Sequence, residues 1–444
     1  MEYLDILDLF LLPIYIFIPF FFALRYRYRF LTDSNDRFFF RNGIIIKIIG
    51  SLSALGIYLF YYKGGDTVDY FTSVEAVFNY LWKRPDQIYE FLSQSDLSKI
   101  MDTDFWTTKS AHRYIISKAT FTVVKLGIVF YTLALGSIIG TYILTAYFSF
   151  FCSWKFYKLF TEFYPKIKKS IGLAIFFMPS VVFWGSGLFK DTFTLGGLYL
   201  FIYSVVQLLI LRKFRWSFVF YFIFSFYLLI NIRSFFIITI FPFLFAWVFF
   251  SYFQKIKNNN FKVIFFPLFT IVIIGFGVLA FQVLNQYMLE VSVDKIESSL
   301  QGFQSWHASL GGSAYSLGDF DFTLAGYIQK IPASINVTFF RPYIWEVNKP
   351  IIFLTFLQSF YFILFTLYVL IKVNVFKFFK IFFTSLDVFT LIGFSLFFAY
   401  VAGISSYNFG ALDRYKIPCL STYFIGLLII LYKSKQPNTI EKKF

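Results

Sequence analysis

Apolar residues fall in runs of roughly 20, broken by short polar stretches, along most of the chain. A helix of about 20 residues crosses about 30 Å of hydrocarbon, so each run predicts one membrane span. Phe218 to Ile230 is almost continuously apolar. An outer-membrane strand would instead alternate apolar and polar residues over about 10 positions. Spans are expected at Leu9–Leu24, Gly43–Tyr62, Phe121–Phe151, Ile171–Leu188, Thr192–Leu211, Trp216–Ile232, Phe235–Tyr252, Val263–Val283, Ile351–Lys372, Leu386–Ile404 and Pro418–Tyr432, eleven in all. Phe121–Phe151 is too long for one upright helix. It is either a single tilted or kinked crossing or a pair broken at Gly136-Ser137, and a pair would invert everything after it. The expected fold is all-α: one polytopic helical membrane domain over residues 1–444.

Composition agrees with the pattern. Only 14% of the 444 residues are charged, against about 25% in soluble domains, which need a polar shell. Soluble enzymes, disordered chains and coiled coils are excluded. The 25% aromatic content, including 70 Phe, fits either aromatic belts and stacking surfaces or drift toward Phe at lipid-facing positions. Net charge is +16, with the basic residues clustered between spans: Arg25, Arg27 and Arg29, then Lys166, Lys168 and Lys169, then Lys372, Lys377 and Lys380, among others. If these clusters are cytoplasmic, the N-terminus is outside and the C-terminus inside. The charge then orients the protein against anionic headgroups and makes membrane lipids its partners. Nucleic acid is not a predicted partner. Met1 to Asp5 lacks a basic n-region, and the first run is followed by Arg25 and Arg27, which suggests an uncleaved span and not a signal peptide. Cys152 and Cys419 form no C-x-x-C, so neither a disulfide framework nor a cysteine metal site is expected. His112 and His307 do not by themselves make a zinc site.

Two polar stretches, 63–118 and 285–350, fall on the outer (periplasmic) face and are long enough to be functional loops. Within the first, Ile88–Leu92 and Tyr114–Phe121 are expected to form short interfacial helices. Its start, Gly64-Gly65-Asp66-Thr67-Val68-Asp69, places two carboxylates three apart after a turn-forming pair of glycines. Asp66 and Asp69 are the candidate catalytic carboxylates, against an ordinary solvated loop start. The run Pro179 to Asp191 holds a Pro and two glycines and ends in Lys190-Asp191, either a phosphate site or an interfacial anchor. Arg233, Arg341 and Arg414 lie on the outer side, against the positive-inside trend. Arg233 is either a phosphate-binding fork or a headgroup anchor. Arg341 and Glu346 are expected to position a sugar pyrophosphate or each other, and Arg414 again enters a span from the outer side. Trp345 and Glu346 accompany Arg341. Trp184, Trp306 and Trp345 are candidates for stacking on a sugar.

The runs PSVVFWGSGLFKD, FFRPYIWE and NFGALDRY, with the Asp-bearing start of the first outer loop, resemble bacterial membrane proteins of cell-surface polysaccharide assembly. These include O-antigen-polymerase-like proteins and the GT-C type of polyprenyl-phosphate-dependent glycosyltransferases. The resemblance implies glycosyl transfer or polymerisation at the outer face of the bacterial cytoplasmic membrane. Polyprenyl-(pyro)phosphate-linked glycan would be the donor, and other envelope-assembly proteins would be neighbours. Asp66 or Asp69 would be base or ligand of a divalent metal. Lys190, Asp191, Arg233, Arg341, Trp345, Glu346 and Arg414 would bind substrate. The rival expectation is a non-enzymatic glycan-lipid flippase, a transporter or a structural envelope subunit.

Overall fold

A computed structural model describes residues 6–95, 112–254, 275, 314–318, 324–348 and 350–436. The protein is an all-α polytopic membrane protein. Among the described residues the one β feature is an isolated antiparallel bridge between Ala314 and Asn408.

The helices, in chain order, are α1 (Ile6–Phe30), α2 (Ser34–Gly56), α3 (Asp66–Lys83), α4 (Ile88–Ser93), α5 (His112–Ile116), α6 (Lys118–Leu133), α7 (Ile138–Phe163), α8 (Lys168–Phe176), α9 (Pro179–Trp184), α10 (Lys190–Val205), α11 (Trp216–Arg233), α12 (Phe235–Phe253), α13 (Leu324–Gln329), α14 (Ile331–Phe340), α15 (Pro350–Val373), α16 (Val375–Thr384), α17 (Leu386–Ser406), α18 (Phe409–Tyr415) and α19 (Ile417–Ser434). Wider π turns extend α2 through Ile57–Tyr62 and α10 through Val206–Ile210.

Among the described residues, eight helices are long and apolar enough to cross a membrane: α1, α2, α10, α11, α12, α15, α17 and α19. The run expected at Phe121–Phe151 is the pair α6 and α7, whose axes turn by 113°. Leu135 and Gly136 have positive φ at the bend, and the Ser137 hydroxyl accepts from Gly140 N–H to start α7. Counted as one crossing, the pair brings the total to nine. The expected Ile171–Leu188 span is broken into the short helices α8 and α9. Pro179 explains the break: it disfavours helical backbone at the residue before it and donates no hydrogen bond. The expected Val263–Val283 span lies outside the described residues. Of the interfacial helices expected in the first loop, one is α4, and the second region holds α5 and the start of α6.

The chain divides into two compact units. The first holds residues 1–177, 181–203 and 221–233, and the second holds 178–180, 204–220 and 234–444. In the first, α1, α2, α6 and α8 all pack on α7. Lipid gives helices no hydrophobic reason to associate, so packing and polar contacts must hold them. Aromatic rings supply the packing: Phe40 meets Trp154 edge-on at 4.9 Å, and Phe156 stacks on Tyr199 at 4.2 Å. At the basic end, buried Asp36 accepts from Tyr157 (3.0 Å) and Lys158 (2.7 Å), tying α2 to α7.

In the second unit, α12, α14, α16 and α19 pack on α17. Gly403 allows the crossing with α14, because a Cβ there would stand 2.2 Å from the Ser334 carbonyl oxygen. Hydroxyls then bond across the helices: Thr338 to the Ala399 carbonyl at 2.8 Å, and Ser395 with Thr422 at 2.7 Å. At the basic end Lys433 meets buried Asp387 at 2.8 Å.

Candidate functional site

In the first unit, the chain leaves α2 through Lys63, Gly64 and Gly65, all with positive φ. Glycine tolerates that backbone without steric cost, and the turn delivers Asp66 and Asp69 into the first turn of α3. Three apart on a helix, they share a face. Both are half-buried, and carboxylates near a helix N-terminus are stabilised by its dipole. Asp66 accepts a 2.7 Å hydrogen bond from the Tyr114 hydroxyl, which ties the start of the first loop to its end. Further along α3, burial raises the Glu75 carboxyl above its ordinary range.

Lys190 and Asp191 open α10. Asp191 is buried, and the Arg233 guanidinium at the end of α11 reaches it at 2.9 Å. The arginine that interrupts apolar sequence there therefore answers a specific carboxylate, a pairing that residue order alone does not reveal. Trp184 packs against Phe183 and Phe189.

Sequence reasoning missed Lys47, whose signal was a lone lysine inside the apolar run of α2. It is fully buried, and its ammonium donates to the carbonyls of Val181 (3.3 Å) and Gly185 (3.1 Å). The Ser149 hydroxyl also donates to Gly185. The Val181 carbonyl also accepts from Gly185 N–H at 3.1 Å, so the lysine is a second donor there, supplied by a neighbouring span.

In the second unit, Arg341 follows directly on α14. Its Nε donates to both carboxylate oxygens of Glu346, at 3.0 and 3.1 Å, and Nη2 also bonds to Glu346. The guanidinium carbon lies 5.7 Å from the Tyr315 ring centroid and 5.5 Å from that of Phe409. Glu346 is fixed in turn by the Tyr343 N–H at 2.8 Å. Tyr315 is held by Tyr407 O (to its N–H) and Gly403 O (to its hydroxyl), both at 3.0 Å, and its burial raises the phenol above the ordinary range. Trp345 is 78% exposed and leans on the Tyr343 ring.

A second cluster lies deeper in the same unit. The Ser180 hydroxyl donates to Asp413 at 2.7 Å, and its N–H donates to Gln358 at 3.1 Å. Lys416, 1% exposed, stands 3.4 Å from Asp413. The next residue after Gln358, Ser359, donates to the Arg341 carbonyl at 2.8 Å. One stretch of α15 thus supports both the arginine cluster and the Asp413 cluster. Gln358 is 14 residues before Lys372 on α15, so at 1.5 Å per residue it sits roughly 21 Å from the basic end. Arg414 is half-buried in the last turn of α18. Ser180, Gln358, Asp413 and Lys416 were missed. Asp413 and Lys416 are three apart near the last span, and that spacing was the available signal.

The sequence-predicted residues divide between the units: Asp66, Asp69, Lys190, Asp191 and Arg233 in the first, Arg341, Trp345, Glu346 and Arg414 in the second. Trp306 and most of the second outer loop lie outside the described residues. Among the described residues no three His, Cys, Asp or Glu side chains are grouped to hold a metal ion. Cys152 and Cys419 are buried and reduced. No family model, curated protein or solved structure matches the chain.

Proposed function

We propose that this protein transfers glycosyl units at the outer face of the bacterial cytoplasmic membrane, from a sugar on polyprenyl (pyro)phosphate to another glycan. Arg341 carries the reading. Glu346 holds the Nε–Nη2 edge of its guanidinium, aromatic rings stand beside it, and Trp345 is exposed nearby. A planar fork fixed along one edge offers its remaining N–H groups to phosphate oxygens. An exposed indole offers a face to a sugar.

In this mechanism Arg341 binds the donor phosphate and offsets the negative charge that grows on it as the glycosidic bond breaks. Arg414, Lys190 and the Asp191–Arg233 pair are further substrate-binding candidates. A carboxylate takes the proton of the acceptor hydroxyl. Asp66 and Asp69 are two candidates, and Asp413, beside the Lys416 cation and the Ser180 hydroxyl, is a third. Deletion of the protein in its host should make lipid-linked glycan accumulate. Unchanged lipid-linked pools and unchanged surface glycan would end this reading.

A second reading, a glycan-lipid transporter, is favoured by the broken α8–α9 segment, because discontinuous helices recur at the substrate sites of transporters. Proteoliposomes separate the two. An enzyme elongates or releases the glycan, whereas a transporter moves lipid-linked glycan across the bilayer unaltered.

A further inference from the structure

The short helix α16 and the charged ends around it take no part in the candidate site or the proposed mechanism. α15 ends at Val373, and Asn374, at φ 70°, turns the chain sharply while its side chain accepts from Phe376 N–H at 3.0 Å. The ten residues that follow divide into three faces. Ile381 is buried and Phe382 packs on Phe389 at 5.4 Å, which fixes one face against the bundle. Phe376, Phe379 and Phe383, at 88%, 51% and 68% exposure, form a second, outward stripe spaced three and four apart. Lys377 and Lys380 occupy the third, between the other two on a wheel of about 100° per residue.

Further cations gather at this end. Lys377 donates to the Ser434 carbonyl at 2.7 Å, which brings the end of α19, with exposed Lys435, beside α16. Lys372 is exposed in the last turn of α15. The acidic residue described here, Asp387, is 1% exposed and paired with Lys433. Among the described residues of this unit, the other carboxylates, Glu346 and Asp413, are at the opposite ends of the spans. Lys372, Lys377, Lys380 and Lys435 therefore form a positive patch whose local carboxylate is already used.

We infer that α16 and these four lysines bind the headgroups of anionic phospholipids in the leaflet that the basic ends face. The phenylalanine stripe enters the acyl region while the lysines meet phosphates at its border, the arrangement that holds amphipathic helices in an anionic interface. A soluble acidic partner would satisfy the lysines and leave the stripe uncovered. A neutral lipid would cover the stripe and leave the charge unmatched.

The test uses the full-length protein in phosphatidylcholine bilayers with trace spin-labelled phosphatidylglycerol or phosphatidylcholine, reading the fraction of each probe immobilised on the protein. Phosphatidylglycerol should be preferred several-fold, and raised salt should erode the preference. The triple variant Lys372→Gln, Lys380→Gln, Lys435→Gln keeps the Lys377–Ser434 bond, so it tests charge without cutting the contact to α19. It should lose most of the preference while unfolding at the wild-type temperature. Phe376→Ser should weaken retention of both probes. Equal immobilisation of the two probes by the wild type, or undiminished preference in the triple variant, would overturn the assignment. Displacement of phosphatidylglycerol by inorganic phosphate at matched ionic strength would overturn it too, by showing a site for a free anion.

Discussion

Lys47 shows how much one side chain can settle when water is absent. Polar groups in the bilayer interior need partners, and Lys47 adds a donor to two carbonyls that each have another one: Val181 accepts from Gly185 N–H and Gly185 from the Ser149 hydroxyl. Lys47→Met keeps much of the volume and removes the lysine donor from both carbonyls, while Val181 retains the Gly185 N–H and Gly185 the Ser149 hydroxyl. The expected loss is about 0.5–1.5 kcal/mol for the lost hydrogen bonding, measured as a lower midpoint of thermal unfolding in detergent. An unchanged midpoint would show that the lysine holds nothing in place. Arg341 is tested by function. Arg341→Lys keeps the charge but cannot reproduce a fork bound along one edge and presented along the other. We expect glycan transfer to fall by about 10–100-fold, with normal accumulation in the membrane. Full complementation of a deletion strain by the lysine variant would reduce Arg341 to a headgroup anchor. Asp413→Asn, which keeps shape and removes proton acceptance, should cost about 10²–10⁴-fold if this carboxylate is the base. The same substitution at Asp66 and at Asp69 then shows which of the three carboxylates carries that role.

At the scale of elements, caps and breaks decide where helices begin and stop. Asp33 caps α2, accepting from Asp36 N–H at 3.0 Å, and Lys168 stands 3.3 Å away. That backbone N–H, joined by the lysine, holds the Asp33 carboxyl below its ordinary range. Because the folded value is lowered, the contribution is complete above the unfolded value near 4 and is lost as pH falls through the folded one. Thermal stability should therefore drop as the medium is acidified below about pH 4, with a shallower drop in Asp33→Asn. Asp33→Ala should lose about 1 kcal/mol at neutral pH, read from the same melting curves. A neutral-pH midpoint unaffected by the alanine would remove the cap from the account. The α6–α7 bend was legible in part. Gly136-Ser137 marked its place, but the 113° turn depends on the left-handed backbone at Leu135, which composition does not signal.

For the whole molecule, orientation is the quantity to test. Basic residues gather at one set of helix ends, and the positive-inside rule makes those ends cytoplasmic. With Cys152 and Cys419 replaced, single cysteines at 66 and 408 should react with a membrane-impermeant thiol reagent in intact cells. Those at 27 and 168 should react only after lysis. The reverse pattern inverts the topology and moves the arginine site to the cytoplasmic face, where the proposed donor chemistry loses its setting.

Sequence by itself determined that this is a helical membrane protein, because a run of roughly 20 apolar residues fixes both the solvent and the secondary structure that can satisfy a backbone in it. It also marked where charge stands beside hydrocarbon, which is costly enough to stand out residue by residue. Partnership was decided by tertiary structure alone. Arg233 and Asp191 are 42 positions apart, Ser180 and Asp413 are 233 apart, and Lys47 meets a carbonyl 138 residues away. Hydrophobic periodicity carries no information about contacts over such separations. They depend on which helices cross, and that is set by close packing at positions such as Gly403, where a single Cβ would meet the backbone of the next helix.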